Sequence, residues 1–118
     1  MSKQRDEGSV TVELALALPA VISLLAVLMG AGSAAVGQLR LADAARAAAR
    51  TAALGAGDSE IAGVAVQAAG RPVDVGVSRD GGLVKVHCSG SVWIPLLGNR
   101  PASADAVAAC EPSRGCGL

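Results

Sequence analysis

The chain has 118 residues, with 10 Lys plus Arg balanced by 10 Asp plus Glu, 52% hydrophobic residues, one Trp and no Phe or Tyr. A formal net charge of zero, with no basic patch interleaved with aromatics, argues against a nucleic-acid binder. One short chain without large side chains must build its core from Ala, Val and Leu, which is thin per residue and calls for help from a membrane, a partner or a disulfide.

Residues 1–8 contain Lys3, Arg5, Asp6 and Glu7. They are too short and too polar to fold alone and read as a cytoplasmic leader. From Leu14 to Gly37 there are 24 residues without a charge. As a helix they reach roughly 36 Å at about 1.5 Å per residue, enough for a hydrocarbon core about 30 Å thick. Residues 9–37 are therefore assigned to one membrane-spanning helix, since backbone groups in lipid must bond within their own segment. Glu13 stands at its start, and a carboxylate at the edge of such a span needs a partner. A cut between Gly8 and Ser9 would supply one. Ser9 would carry a new α-ammonium, about one helical turn from Glu13, and Glu13 would also favour the positive end of the helix dipole. Pro19 lacks a donor for the Ala15 carbonyl, so a kink is expected there. Gly30, Gly32 and Ser33 read as packing contacts between helices. Lys3 and Arg5 lie upstream of the span, and Arg40, Arg46 and Arg50 downstream. Raw charge does not orient it. The leader reading, and Asp43 among the downstream arginines, place the N-terminus inside.

Helix continues from Gln38 to Leu54, dense in alanine. Arg40, Asp43, Arg46 and Arg50 share one face, suited to short-range ion pairs, and Leu41, Ala45, Ala48 and Ala52 form a small apolar face opposite. Gly55 and Gly57 interrupt the helix, and Asp58 or Ser59 is the expected N-cap of a short second one. Ile61, Val64, Ala65 and Ala68 give it an apolar face, and Gly70-Arg71-Pro72 stops it. The period then changes to two. Val73, Val75 and Val77 alternate with polar or small residues, Arg79-Asp80-Gly81-Gly82 is a turn, and Val84, Val86 and Cys88 alternate with Lys85 and His87, which makes a hairpin. Val92–Leu97, with Pro95, is expected to be a strand end or edge. The composition of Ser103–Cys110 suits a helix or a strand, and Pro112–Leu118 should be loose. The fold class is α+β: a long N-terminal transmembrane helix running into an Ala-rich amphipathic one, a short second helix, then a small antiparallel sheet of two or three strands. Residues 38–118 would form an exported helical stem and small domain.

The three cysteines are Cys88, Cys110 and Cys116. Export would permit disulfides. Cys110 with Cys116 would close a small tail loop and is favoured slightly, and Cys88 with Cys110 would join two strands. A leftover thiol could pair between chains. The spacings fit no zinc pattern, so no metal is assigned. His87 reads as a solvent-side strand residue. No Ser, His and acid set and no phosphate loop stand out, so neither a catalytic residue nor a cofactor is implied. Trp93 reads as a core or membrane-interface residue, with a subunit contact as the sharper alternative.

Gly8 followed by Glu13 ahead of an apolar helix resembles the type IV prepilin cleavage motif. The runs Ser9-Val10-Thr11-Val12-Glu13-Leu14-Ala15-Leu16-Ala17-Leu18-Pro19 and Gln38-Leu39-Arg40-Leu41-Ala42-Asp43-Ala44-Ala45-Arg46-Ala47-Ala48-Ala49-Arg50 resemble the TadE-like minor pilins of tight-adherence (Flp-type) pilus systems, in their actinobacterial form. Many members carry an aromatic residue after the glutamate, where this chain has Leu14. The resemblance implies a precursor in the cytoplasmic membrane with residues 1–8 inside and the C-terminal part outside. It implies processing by a prepilin peptidase between Gly8 and Ser9, pairing of Glu13 between subunits, and assembly with major and minor pilins by a platform and its cytoplasmic ATPase. It also favours Ser103–Cys110 as a third strand. Two other readings remain: an uncut single-pass membrane protein, and a secreted domain whose signal peptide is cut near Ala31-Gly32-Ser33.

Overall fold

The structure is a computed structural model and describes residues 2–110, with side chains from Gly8 onward. Helix α1 spans Ser2–Ala53, 52 residues without interruption. It is followed by α2 (Asp58–Ala69), β1 (Asp74–Asp80), β2 (Leu83–Ile94) and β3 (Gly98–Ala109). The molecule is a rod of 88 × 20 × 17 Å, because α1 projects far beyond the part that packs.

The helix continues unbroken through the proline at which a kink is expected. Pro19 lies inside α1, and the Ser23 hydroxyl donates to the Pro19 carbonyl at 2.7 Å. The Ala-rich half supplies the buried stripe. Leu41, Ala44, Ala45, Ala48, Ala49 and Ala52 are almost fully buried, at spacings of three and four that place them on one face. Arg40, Asp43, Arg46 and Arg50 stay exposed, and Asp43 pairs with Arg46 at 3.7 Å. That pair is solvent-exposed and adds little stability.

Helix α2 begins differently from expectation. Its N-cap is Gly57, with no side-chain cap bond, and Asp58 is already helical. Asp58 and Glu60 in the first turn instead favour the positive end of the helix dipole. Its buried face is Ile61, Ala65 and Ala69, while Ala68 is exposed, so the face is turned by one residue at its end. Gly70 closes the helix in the left-handed region at φ 70°, its N–H bonded to the Val66 carbonyl.

The three strands form an antiparallel meander in the order β1-β2-β3. Gly81 and Gly82, both at positive φ, connect Asp80 to Leu83 as the turn signal required. Strand β2 is longer than its first alternating run suggested. It continues through Ser89-Gly90-Ser91 to Ile94 and is the central strand; β1 pairs with it only as far as Ser89, so Val92–Ile94 form its end and pair with β3 alone, as a strand end or edge would. Strand β3 likewise starts at Gly98, before Ser103, and runs through Pro101, which is tolerated because β3 is an edge.

One face of the sheet covers α1 and α2. Val84, Val86, Cys88 and Val92 join the helical stripe and Ile61 in one core. Strand β2 descends α1 antiparallel to it. A side chain on Gly90 would meet Leu41, one on Gly37 would meet Val92, and one on Gly30 would meet Ile94. Gly30 therefore serves helix–strand contact rather than the helix–helix contact expected of it, as does Gly37, whereas Gly32 faces open space. The sheet covers α1 from Gly30 onward on one side.

Candidate functional site

The uncovered end of α1 carries the first group of candidate residues. From Gly8 to Met29 no residue is buried, and Leu16, Val27 and Met29 are each about two-thirds exposed or more. Apolar side chains exposed all round a helix belong in a membrane or an assembly, not in water. The helix is long and apolar enough to cross a membrane. Gly8 and Ser9 lie on this helix, exposed, with open space around Gly8. Ser9 and Glu13 are four apart and so share a face. Glu13 is exposed, and among the residues whose side chains are described no ion pair reaches it.

The second group lies on the outer face of the sheet. His87 on β2 is opposite Asp105 on β3, and His87 Nδ1 stands 2.6 Å from Asp105 Oδ1, both side chains half exposed. The hydrogen bond from His87 holds the Asp105 carboxyl below the usual carboxylate range, with desolvation opposing it and the charges of His87 and Lys85 helping. The Ser78 hydroxyl is turned to the Lys85 carbonyl at 3.5 Å, not to the imidazole. The pair thus has the form of a cross-strand polar contact. His87 is on the solvent side, as its alternation indicated. Its partner was hidden because the register of β3 could not be read before β3 itself was secure.

The cysteines separate. Cys88 is a free thiol, fully buried; burial, then the charge of Asp105, pushes its pKa up. Cys110, at the end of β3, is disulfide-bonded, so Cys88 and Cys110 are not joined to each other. Cys116 lies outside the described residues. Among the described residues no three His, Cys, Asp or Glu side chains gather as a metal site. Trp93 is not a core residue: it is 60% exposed, next to the turn between β2 and β3.

The long α1, exposed and apolar from Gly8 to Met29 and alternately charged and alanine-rich up to Arg50, is the segment that a family match identifies. Residues 8–50 match the TadE-like protein family. No curated protein and no solved structure matches the chain. The TadE-like segment begins at Gly8, the residue before the expected cut, and ends at Arg50 on the stem. It contains the whole uncovered helix and most of the stripe beneath the sheet. The sheet lies beyond the matched residues.

Proposed function

We propose that this TadE-like chain is a minor pilin or pilus assembly subunit, cut by a prepilin peptidase between Gly8 and Ser9 and taking part in building a thin Flp-type pilus. The observation that carries the reading is α1 itself: one uninterrupted helix, unburied and apolar over Gly8–Met29, with Glu13 four residues past Ser9. Gly8 weakens the helix locally by roughly 0.5–1 kcal/mol relative to alanine, which eases the unwinding a peptidase needs. After the cut, the Ser9 ammonium and Glu13 of the same or a neighbouring subunit can neutralise each other. An unpaired acid well inside a span would cost up to about 2.5–3.5 kcal/mol.

The N-terminus lies in the cytoplasm and the sheet outside. Partners are the peptidase, the major and minor pilins, the assembly platform and its ATPase, and the membrane. The chain is the substrate of an enzyme and performs no catalysis itself. Cys110 pairs with Cys116 in the exported tail. The secreted alternative requires cleavage near Ala31-Gly32-Ser33, inside a helix where β2 packs on both Gly30 and Gly37, and this favours the pilin reading. The deciding experiment is the intact mass of membrane-extracted protein from cells with and without the prepilin peptidase. Loss of residues 1–8 only with the peptidase is expected. An uncut chain in both strains refutes the reading, as does a peptidase-independent cut near Ser33.

A further inference from the structure

We infer that the turn between β2 and β3 is a lipid-contact site: Trp93, Leu96 and Leu97 rest in the membrane interface and seat the sheet on the bilayer through which α1 passes. The inference rests on reading α1 as a membrane span.

Height along the helix is the first support. Strand β2 tracks α1 downward from Leu41 at Gly90, through Gly37 at Val92, to Gly30 at Ile94 and the Pro95 carbonyl. Four strand steps cover about 13 Å, and the eleven helix steps from Leu41 to Gly30 cover about 16 Å. The turn therefore arrives level with Gly30. The 22 helix residues from Gly8 to Met29 are all unburied, with Ala26 alone partly covered, and measure roughly 33 Å, close to the hydrocarbon thickness of about 30 Å. A bilayer that accommodates this length ends where the turn begins.

The chemistry of the turn fits that place. From Val92 to Gly98 there is no charge, and the sequence is Val92-Trp93-Ile94-Pro95-Leu96-Leu97-Gly98. Trp93, Leu96 and Leu97 are 60%, 87% and 58% exposed. Cations follow just above. Arg100 pairs with Val92 in register and is exposed, and the Arg71 guanidinium donates to the Ser91 carbonyl at 2.6 Å. The nearest acid on the sheet, Asp74, is opposite Ser89, about four strand steps, or roughly 13 Å, above Trp93. An apolar tip under a cationic collar, with an aromatic at the boundary, matches acyl chains under phosphate headgroups.

Backbone geometry gives an independent support. Leu97 N–H bonds the Ile94 carbonyl at 3.1 Å, and Leu96 sits at φ 73°, the only positive-φ residue other than glycine among those described. With Pro95 before it, this is the type II pattern, whose third position favours Gly or Asn. A leucine there strains the turn and gains almost no burial within the protein. A contact outside the protein accounts for it.

Trp93 is the only aromatic residue in the chain, so its fluorescence reads the site directly. The full chain is reconstituted at low protein-to-lipid ratio in vesicles of phosphatidylethanolamine and phosphatidylglycerol, with and without phospholipid brominated high on the acyl chain. Flotation after an alkaline wash reports the span separately. The expected result is that Trp93 emission is blue-shifted, quenched by the brominated lipid and shielded from aqueous acrylamide. In Leu96→Asn/Leu97→Asn the shielding is lost while circular dichroism stays unchanged. A floating chain whose Trp93 ignores brominated lipid and is freely quenched by acrylamide overturns the inference and leaves the span intact. A chain that does not float refutes the span reading itself. Shielding that disappears on dilution with lipid assigns the patch to a second copy and also overturns the lipid site.

Discussion

Of the described glycines, Gly37 is the one where an added Cβ would come nearest to another side chain, and its replacement by alanine has a magnitude that can be worked out. The added Cβ would lie 2.6 and 2.7 Å from the two methyls of Val92 and 3.2 Å from its Cβ. Carbon atoms prefer about 3.5–4.0 Å, so the overlap is close to 1 Å at two atoms. Val92 is 4% exposed and β-branched, with restricted χ1, so it cannot turn away. The strand must shift or the core must strain, at about 1–3 kcal/mol. Alanine repays roughly 0.5–1 kcal/mol through its better helix propensity. Gly37→Ala is therefore expected to destabilise the protein by up to about 2.5 kcal/mol, which for a domain of this size lowers Tm by about 4–8 °C per kcal/mol. Gly32→Ala is the internal comparison, because nothing lies within 4 Å of its new Cβ. It should be neutral or slightly stabilising. Heat unfolding of the full chain in detergent micelles, followed by Trp93 fluorescence, reads both. Adding Val92→Ala to Gly37→Ala removes the clash, so the two changes should couple by about 0.5–3 kcal/mol. Gly37→Ala as stable as Gly32→Ala, or a strictly additive double variant, would refute the reasoning.

Leu96→Asn should stabilise the turn in micelles by about 1 kcal/mol, because Asn tolerates the positive φ that strains leucine; an unchanged or lower Tm would contradict the strain. Cys88, buried with its thiol pushed up, should resist alkylation in the native chain until it unfolds, and Cys88→Ser should cost about 1–3 kcal/mol through an unsatisfied hydroxyl; rapid native-state labelling would refute the burial. The Asp105 carboxyl is held low chiefly by its hydrogen bond to His87. Its contribution is therefore present above the unfolded value of about 3.9 and is lost as pH falls through the lower folded value. His87→Ala should move the Asp105 titration upward, as followed by carboxyl-carbon NMR, and an unmoved titration would discount the pair.

Much of this architecture was legible because its periods are clean. The uncharged run before Gly37, the arginine face and the alanine face of the stem, and the Val73–Cys88 hairpin each obey one spacing. The remainder was obscured by small residues. Ser89-Gly90-Ser91 has no apolar alternation to mark it, yet β2 continues through it, with Gly90 close to Val73 and Leu41. Ala102, Ala104, Ala106 and Ala108 point inward at period two, but alanine is at home in a helix, so composition alone left β3 ambiguous. The His87–Asp105 pair depended on that register and stayed invisible with it. Glu13 and Gly8 were readable from the chain, whereas the turn at Leu96 could be located only once the direction of β2 along α1 was known.

The stripe beneath the sheet and the uncovered apolar segment belong to one helix, with no hinge between them. Residues 30–53 of α1 form part of the domain core, so the domain has no independent swivel on its anchor. Any tilt of the anchor becomes an equal tilt of the sheet, and an axial pull on the anchor loads the Gly37–Val92 contact directly as shear along β2. A soluble version begun after Gly37 would strip that contact and leave the lower third of β2 bare. Begun before Gly30, it would keep its core. The anchor works as a lever arm for the domain, and its bearing lies at Gly30 and Gly37.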